Sequence, residues 1–125
     1  MMASADAIIT GALRRDRIGD SLDMGADMNR DGAADLIIGA AQADTEDVDA
    51  GSAWVFLGPI SGSQTTDAAA VRLTAEAGRD AAGTSVALVG DVNGDDIADV
   101  LGGSINHDSG GVDAGAAYLI LGTSW

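Results

Sequence analysis

Asp27, Asn29, Asp31 and Asp35 occupy positions one, three, five and nine of the phrase "DMNRDGAAD", and Asp91, Asn93, Asp95 and Asp99 occupy the same positions of "DVNGDDIAD". In a tight turn, alternate carboxylate and amide oxygens can be aimed at one point, and the ninth residue returns a further carboxylate to it. A backbone carbonyl at position seven, from Ala33 in the first phrase and Ile97 in the second, completes an all-oxygen shell of the kind a hard cation takes. The spacing therefore predicts two calcium sites per chain. Position six is Gly32 in the first phrase and Asp96 in the second. Aspartate tolerates a left-handed backbone better than most residues, though at a cost, so the second site is expected to be strained or weaker. The same residues also suit Asx-rich hairpin turns that hold no metal, and that alternative stays open here.

The elements around these phrases repeat with them. Subtracting positions, 91 − 27 gives an offset of 64, and this offset also places Thr10 on Thr74, Gly19 on Gly83, Ser21 on Ser85 and Gly39 on Gly103. "VDAGSAWVFLG" falls on "VDAGAAYLILG" without a gap. Nearly the whole chain is two copies of one unit, 1–68 and 69–125. Each unit reads as short strands. Ala7 to Thr10 and Val71 to Thr74 are brief β-prone runs, Ser85 to Val89 alternates, and Leu36 to Ile38 and Val100 to Leu101 are apolar runs closed by glycine. "SAWVFLG" and "AAYLILG" are the most strand-like segments. The alanines of Asp67 to Ala77 follow no helical spacing, and the polar stretch from Pro59 to Thr66 is expected to be a rim loop. An EF-hand or a dockerin pair would need an acid at position twelve, which is Ile38 or Gly102 here, and calcium rolls need GGxGxD runs that the chain lacks.

Composition narrows the partners. The net charge is −14, from 20 acidic residues, nearly all aspartate, against six arginines. Such a chain lacks the basic footprint that nucleic acid requires. Aromatic residues are only 3% of the chain and glycines number 18, which favours layers of small residues over a core of large ones. Cysteine is absent, so there is neither a disulfide nor a thiolate metal site. The opening "MMASADAIITGALRR" has no basic stretch leading into an apolar one, and no run approaches a membrane span.

In the order Gly19-x-Ser21, "DMNRDGAAD", "LIIGAA" and "GSAWVFLG", the chain resembles the FG-GAP repeat, the blade unit of the integrin α-subunit propeller and of many bacterial extracellular proteins. Its "FG" is Ile18-Gly19 and Ala82-Gly83, and its "GAP" is "GAA" and "GSI". The resemblance implies an all-β protein of two four-stranded antiparallel blades with calcium loops. It also implies a calcium-stabilised propeller, usually seven-bladed, that acts outside the cell or at its surface as a binding or scaffolding module.

The sequence offers little for an enzyme. His107 is the sole histidine, and a triad of it with Ser104 or Ser109 and Asp108 would use sequence neighbours, which seldom form one. Trp54 and Tyr118 share a repeat position and are expected in the core, with a sugar-stacking platform as the lesser alternative. Two functions are therefore expected: a non-enzymatic structural and protein-interaction module, or a calcium-dependent lectin-like module binding a glycan. Ala7 to Thr10 reads as a spare outer strand. It would complete the second blade of a neighbouring chain, Ile8 and Ile9 pairing beside Gly115 to Leu121, in a cyclic homo-oligomer of three or four chains.

Overall fold

The computed structural model describes residues 4–44 and 47–123. Its nine strands are β1 (Ala7–Thr10), β2 (Ser21–Met24), β3 (Leu36–Ala40), β4 (Ser52–Phe56), β5 (Gly62–Thr65), β6 (Val71–Thr74), β7 (Ala82–Val89), β8 (Asp99–Ser104) and β9 (Ala116–Ile120). A first antiparallel sheet runs β2-β3-β4-β6, a second runs β7-β8-β9, and β1 and β5 form a separate parallel ribbon. The all-β expectation holds, and among the described residues there is no α-helix. No helix among the described residues is long and apolar enough to cross a membrane.

The strand patterns explain the layering. β3 and β4 are apolar on both faces, and both faces are covered. Ile37, Ala53 and Val55 point to one side, where they meet Leu88, Val100, Val86 and Ile120 of the second sheet with Met28 beneath them. Ile38, Ala40, Trp54 and Phe56 point to the other, where Ile9 and Ile60 of the β1–β5 region pack on them. The first sheet is thus the middle layer of three. Val71 to Thr74 completes it as the fourth strand, pairing with β4.

Where the two sheets meet, β7 lies across β2, β3 and β4. Ser21 Oγ donates to the Gly83 carbonyl at 2.8 Å, and the Leu88 N–H donates to Asp23 Oδ2 at 2.9 Å. This approach is close enough to require glycine at 39, because a Cβ there would sit 2.3 Å from both the Gly83 carbonyl oxygen and Ser21 Oγ. At Gly103, the same repeat position, a Cβ would meet only the Ser85 side chain within 3.5 Å. Gly39→Ala is therefore expected to cost about 3 kcal/mol and Gly103→Ala less than about 1.5. Urea unfolding of the two variants checks the order, and equal losses would remove the close-approach argument.

Two expectations are corrected. The stretch from Pro59 to Thr66 is not only a loop, since it contains β5. The sequence "GSQT" carries no apolar alternation, and it becomes a strand through backbone pairing with β1 in the register Ala7↔Gly62 to Thr10↔Thr65. β1 is consequently not spare. It pairs with β5 of its own chain, where Ile9 packs against the first sheet. The first sheet has four strands and the second three among the described residues, which agrees with reading the second unit as a blade without its outer strand.

Candidate functional site

The two acidic phrases fold as connections between the first two strands of each sheet, β2 to β3 and β7 to β8. Positions one, three and five come together in both. In the first, Asp27 Oδ1 accepts from the Asp31 N–H at 3.1 Å and Oδ2 from the Gly32 N–H at 2.8 Å. Asn29 Nδ2 donates to Asp31 Oδ2 at 2.9 Å, and Asp31 Oδ1 accepts from the Ala33 N–H at 2.8 Å. The second loop repeats this pattern. Asp91 accepts from Gly94 and Asp96, both at 2.6 Å, Asn93 Nδ2 donates to Asp95 at 3.0 Å, and Asp95 accepts from Ile97 at 2.9 Å.

Position nine takes a different place. Asp35 and Asp99 are fully buried under their loops. Asp35 accepts from the Met28 N–H at 2.5 Å and from the Gly58 N–H at 2.8 Å. Asp99 does the same with Val92 at 2.8 Å and Gly122 at 2.7 Å. Each carboxylate thereby ties the base of its loop to the chain just past β4 or β9. The sequence held a signal for this second role, a glycine 23 residues after each of these aspartates. Among the described residues no three acidic or histidine side chains converge to hold a metal. The loop acids are turned onto backbone N–H groups instead. The carbonyls of Ala33 and Ile97 accept no hydrogen bond among those residues.

These contacts set the electrostatics. The Ala33 N–H, then the Asn29 amide, hold the Asp31 carboxyl below its ordinary 3.8. Desolvation pushes Asp91 up, but the N–H groups of Asp96, Gly94, Asp95 and Asn93 outweigh it, and the carboxyl lies below the ordinary value. A lowered carboxylate adds to stability above its unfolded pKa, and that contribution disappears as pH falls through the folded value. The turns should therefore hold at neutral pH and loosen below about pH 4, which amide exchange in the two loops would register.

Backbone strain is shared differently from the sequence expectation. Asp96 is left-handed at φ +64°, where Gly32 has +87°. At position four, however, Arg30 is left-handed at φ +62° and its counterpart Gly94 has +83°. Each loop carries one non-glycine residue in this region, an arginine in the first and the better-tolerated aspartate in the second, so strain does not make the second loop the weaker. Arg30 also joins them: its Nη2 donates to the Asp95 carbonyl at 2.7 Å and its Nε to the Asp96 carbonyl at 3.0 Å.

His107 does not engage Asp108 or Ser104. Its Nδ1 lies 3.1 Å from Asp80 and 3.3 Å from the Tyr118 hydroxyl, and its Nε2 lies 2.6 Å from Ser109 Oγ. Ser104 donates to the Asp80 carbonyl, and Asp108 accepts from the Asp113 N–H. The repeat explains Asp80: its counterpart, Asp16, caps the equivalent turn through the Leu13 N–H at 2.8 Å and has Thr66 as its side-chain partner. Asp80 caps through the Ala77 N–H at 3.2 Å, with His107 as partner, so the cluster fastens a turn. Burial pushes the Tyr118 phenol up, as do the charges of Glu76 and Asp80. Trp54 is 3% exposed and belongs to the core, so a sugar has no ring face to stack on there.

A sheet whose first two strands are joined by an Asp-Asn-Asp turn, locked from below by a buried aspartate, defines a class of all-β repeat unit. The family model described as the FG-GAP repeat matches residues 19–56, from the turn before β2 through the end of β4. No curated protein matches the chain.

Proposed function

We propose that the chain is a non-enzymatic, calcium-stabilised pair of propeller blades that serves as a structural and protein-interaction module, with residues 1–68 and 69–125 as its units. The observation carrying this reading is the duplicated loop, which gathers the same three oxygen-bearing side chains at one edge of each sheet, once inside the FG-GAP match and once 64 residues on. The donor set fits calcium, being entirely hard oxygen, with the Ala33 and Ile97 carbonyls free. Asp27, Asn29, Asp31 and Asp35 would hold one ion and Asp91, Asn93, Asp95 and Asp99 the other. Bound calcium would supply charge neutralisation. Asp27, Asp31, Asp91 and Asp95 now spend their oxygens on backbone N–H groups, as do the buried Asp35 and Asp99, and turning these oxygens toward a common point is the work binding must do. FG-GAP repeats are typical of extracellular proteins, which supports action outside the cell, where calcium is plentiful. Assembly of such blades into a ring extends the reading.

Calorimetric titration tests it. Two calcium ions should bind per chain, Asp31→Ala and Asp95→Ala should each remove one, and magnesium should substitute poorly because it demands a tighter octahedral shell. A chain that takes up no calcium overturns the proposal.

A further inference from the structure

We infer that the outward face of the second sheet is a docking surface for a second copy of this chain, specifically for β2 of that copy. This inference rests on reading each sheet as a propeller blade.

The repeat writes the interface between the two larger sheets a second time: its first-sheet half recurs on an uncovered surface, and its second-sheet half recurs on a face that the β1–β5 ribbon covers in part. On the first sheet that interface uses Ile37, Val55 and Met28. Their counterparts on the second sheet are Leu101, Leu119 and Val92, which are 41%, 52% and 55% exposed. On the second sheet the interface uses Val86 and Leu88 of β7. Their counterparts are Leu22 and Met24 of β2, which are 65% and 52% exposed, whereas Leu36 and Phe56, the counterparts of Val100 and Ile120 in the same interface, are packed within the chain. The β1–β5 ribbon covers the neighbouring part of that face through Ile9 and Ile60 but leaves these two side chains of β2 open. The exposed set on the second sheet is thus left to meet Leu22 and Met24 of β2, as the buried first-sheet set meets Val86 and Leu88.

The polar detail repeats as well. Ser21 reaches the Gly83 carbonyl inside the chain. Its counterpart Ser85 is exposed, and the counterpart of Gly83 is Gly19, which keeps a left-handed φ of +105° with nothing within 4 Å of where a Cβ would be. Two links are not copied: Arg30 becomes Gly94, and Asp23 becomes Ala87. The contact between copies therefore has fewer hydrogen bonds and a more apolar face. The arrangement is heterologous, end of one copy to start of the next. With a net charge of −14 per chain, long-range repulsion opposes it, so association should strengthen as salt is raised.

Complementation by mixing is the test. Leu101→Asp/Leu119→Asp breaks one end, and Leu22→Asp/Met24→Asp breaks the other. Sedimentation should show self-association of the unaltered chain, monomers for each variant alone, and a one-to-one dimer when the variants are mixed, because each retains the end the other has lost. A chain that stays monomeric to about 1 mM, near the weak limit of specific binding, overturns the inference. So does a variant that still associates alone, or a mixture that stays monomeric while both variants show the unaltered circular dichroism. Should either variant unfold, single substitutions at Leu119 and Leu22 repeat the mixing. Calcium titration of the same samples separates the readings: normal calcium uptake without association removes only this inference.

Discussion

In excess calcium the chain should melt about 10 °C or more above its melting temperature in chelator. A ligand that binds only the folded state stabilises it by about 2.7 kcal/mol when its free concentration is a hundredfold above its dissociation constant, and there are two loops. In a domain of this size each kcal/mol moves the melting temperature by roughly 3–5 °C. Electrostatics point the same way, because two calcium ions would take the formal charge from −14 to −14 + 4 = −10. Self-repulsion in the compact state would fall accordingly. The gain should divide between the loops, Asp31→Ala and Asp95→Ala each removing part of it while barely changing the melt in chelator. Circular dichroism melts at fixed ionic strength provide the measurement. A melting temperature indifferent to chelator would leave the loops as Asx turns and nothing more.

How far the sequence reaches depends on what each residue's environment contains. β3 and β4 were legible because Leu36–Ala40 and Ser52–Phe56 are apolar on both faces, which a strand covered on two sides requires. β6 was legible by its repeat position, despite the alanines before it. β5 was not, since its stability comes from pairing with β1, a partner more than 50 residues away, and not from any pattern of its own. In the loops, the gathering of Asp27, Asn29 and Asp31 followed from alternation alone. The left-handed backbone at Arg30 did not, because an arginine gives no local sign of a strained φ, and its bonds to Asp95 and Asp96 cross between repeats. The ninth-position aspartates show the same division. Their spacing suggested a cation ligand, but their burial depends on Gly58 and Gly122, which only the folded sheets bring beside them.

That double role gives the second large effect: Asp35→Ala and Asp99→Ala should each destabilise the chain by roughly 4 kcal/mol, in chelator as well as in calcium. Each substitution leaves two backbone N–H groups without an acceptor, the buried Met28 and Gly58 in the first case and the part-buried Val92 and buried Gly122 in the second, at about 1–3 kcal/mol apiece and least at Val92. Asparagine is the sharper probe. It keeps the shape of aspartate but retains a single acceptor oxygen, and its amide NH₂ would face an N–H donor, so one of the two contacts becomes a clash of donors. Asp35→Asn should therefore also lose stability, by about 2–3 kcal/mol. The contrast with Asp31→Ala is what decides the matter. An aspartate that served calcium alone would show its cost only when the metal is present, whereas one that fastens the loop to the end of β4 shows it with the metal chelated. Urea unfolding of the four variants in chelator makes the comparison. If Asp35→Ala and Asp99→Ala unfold there at the same urea concentration as the unaltered chain, the buried carboxylates hold nothing together and their place beneath the loops has no energetic meaning.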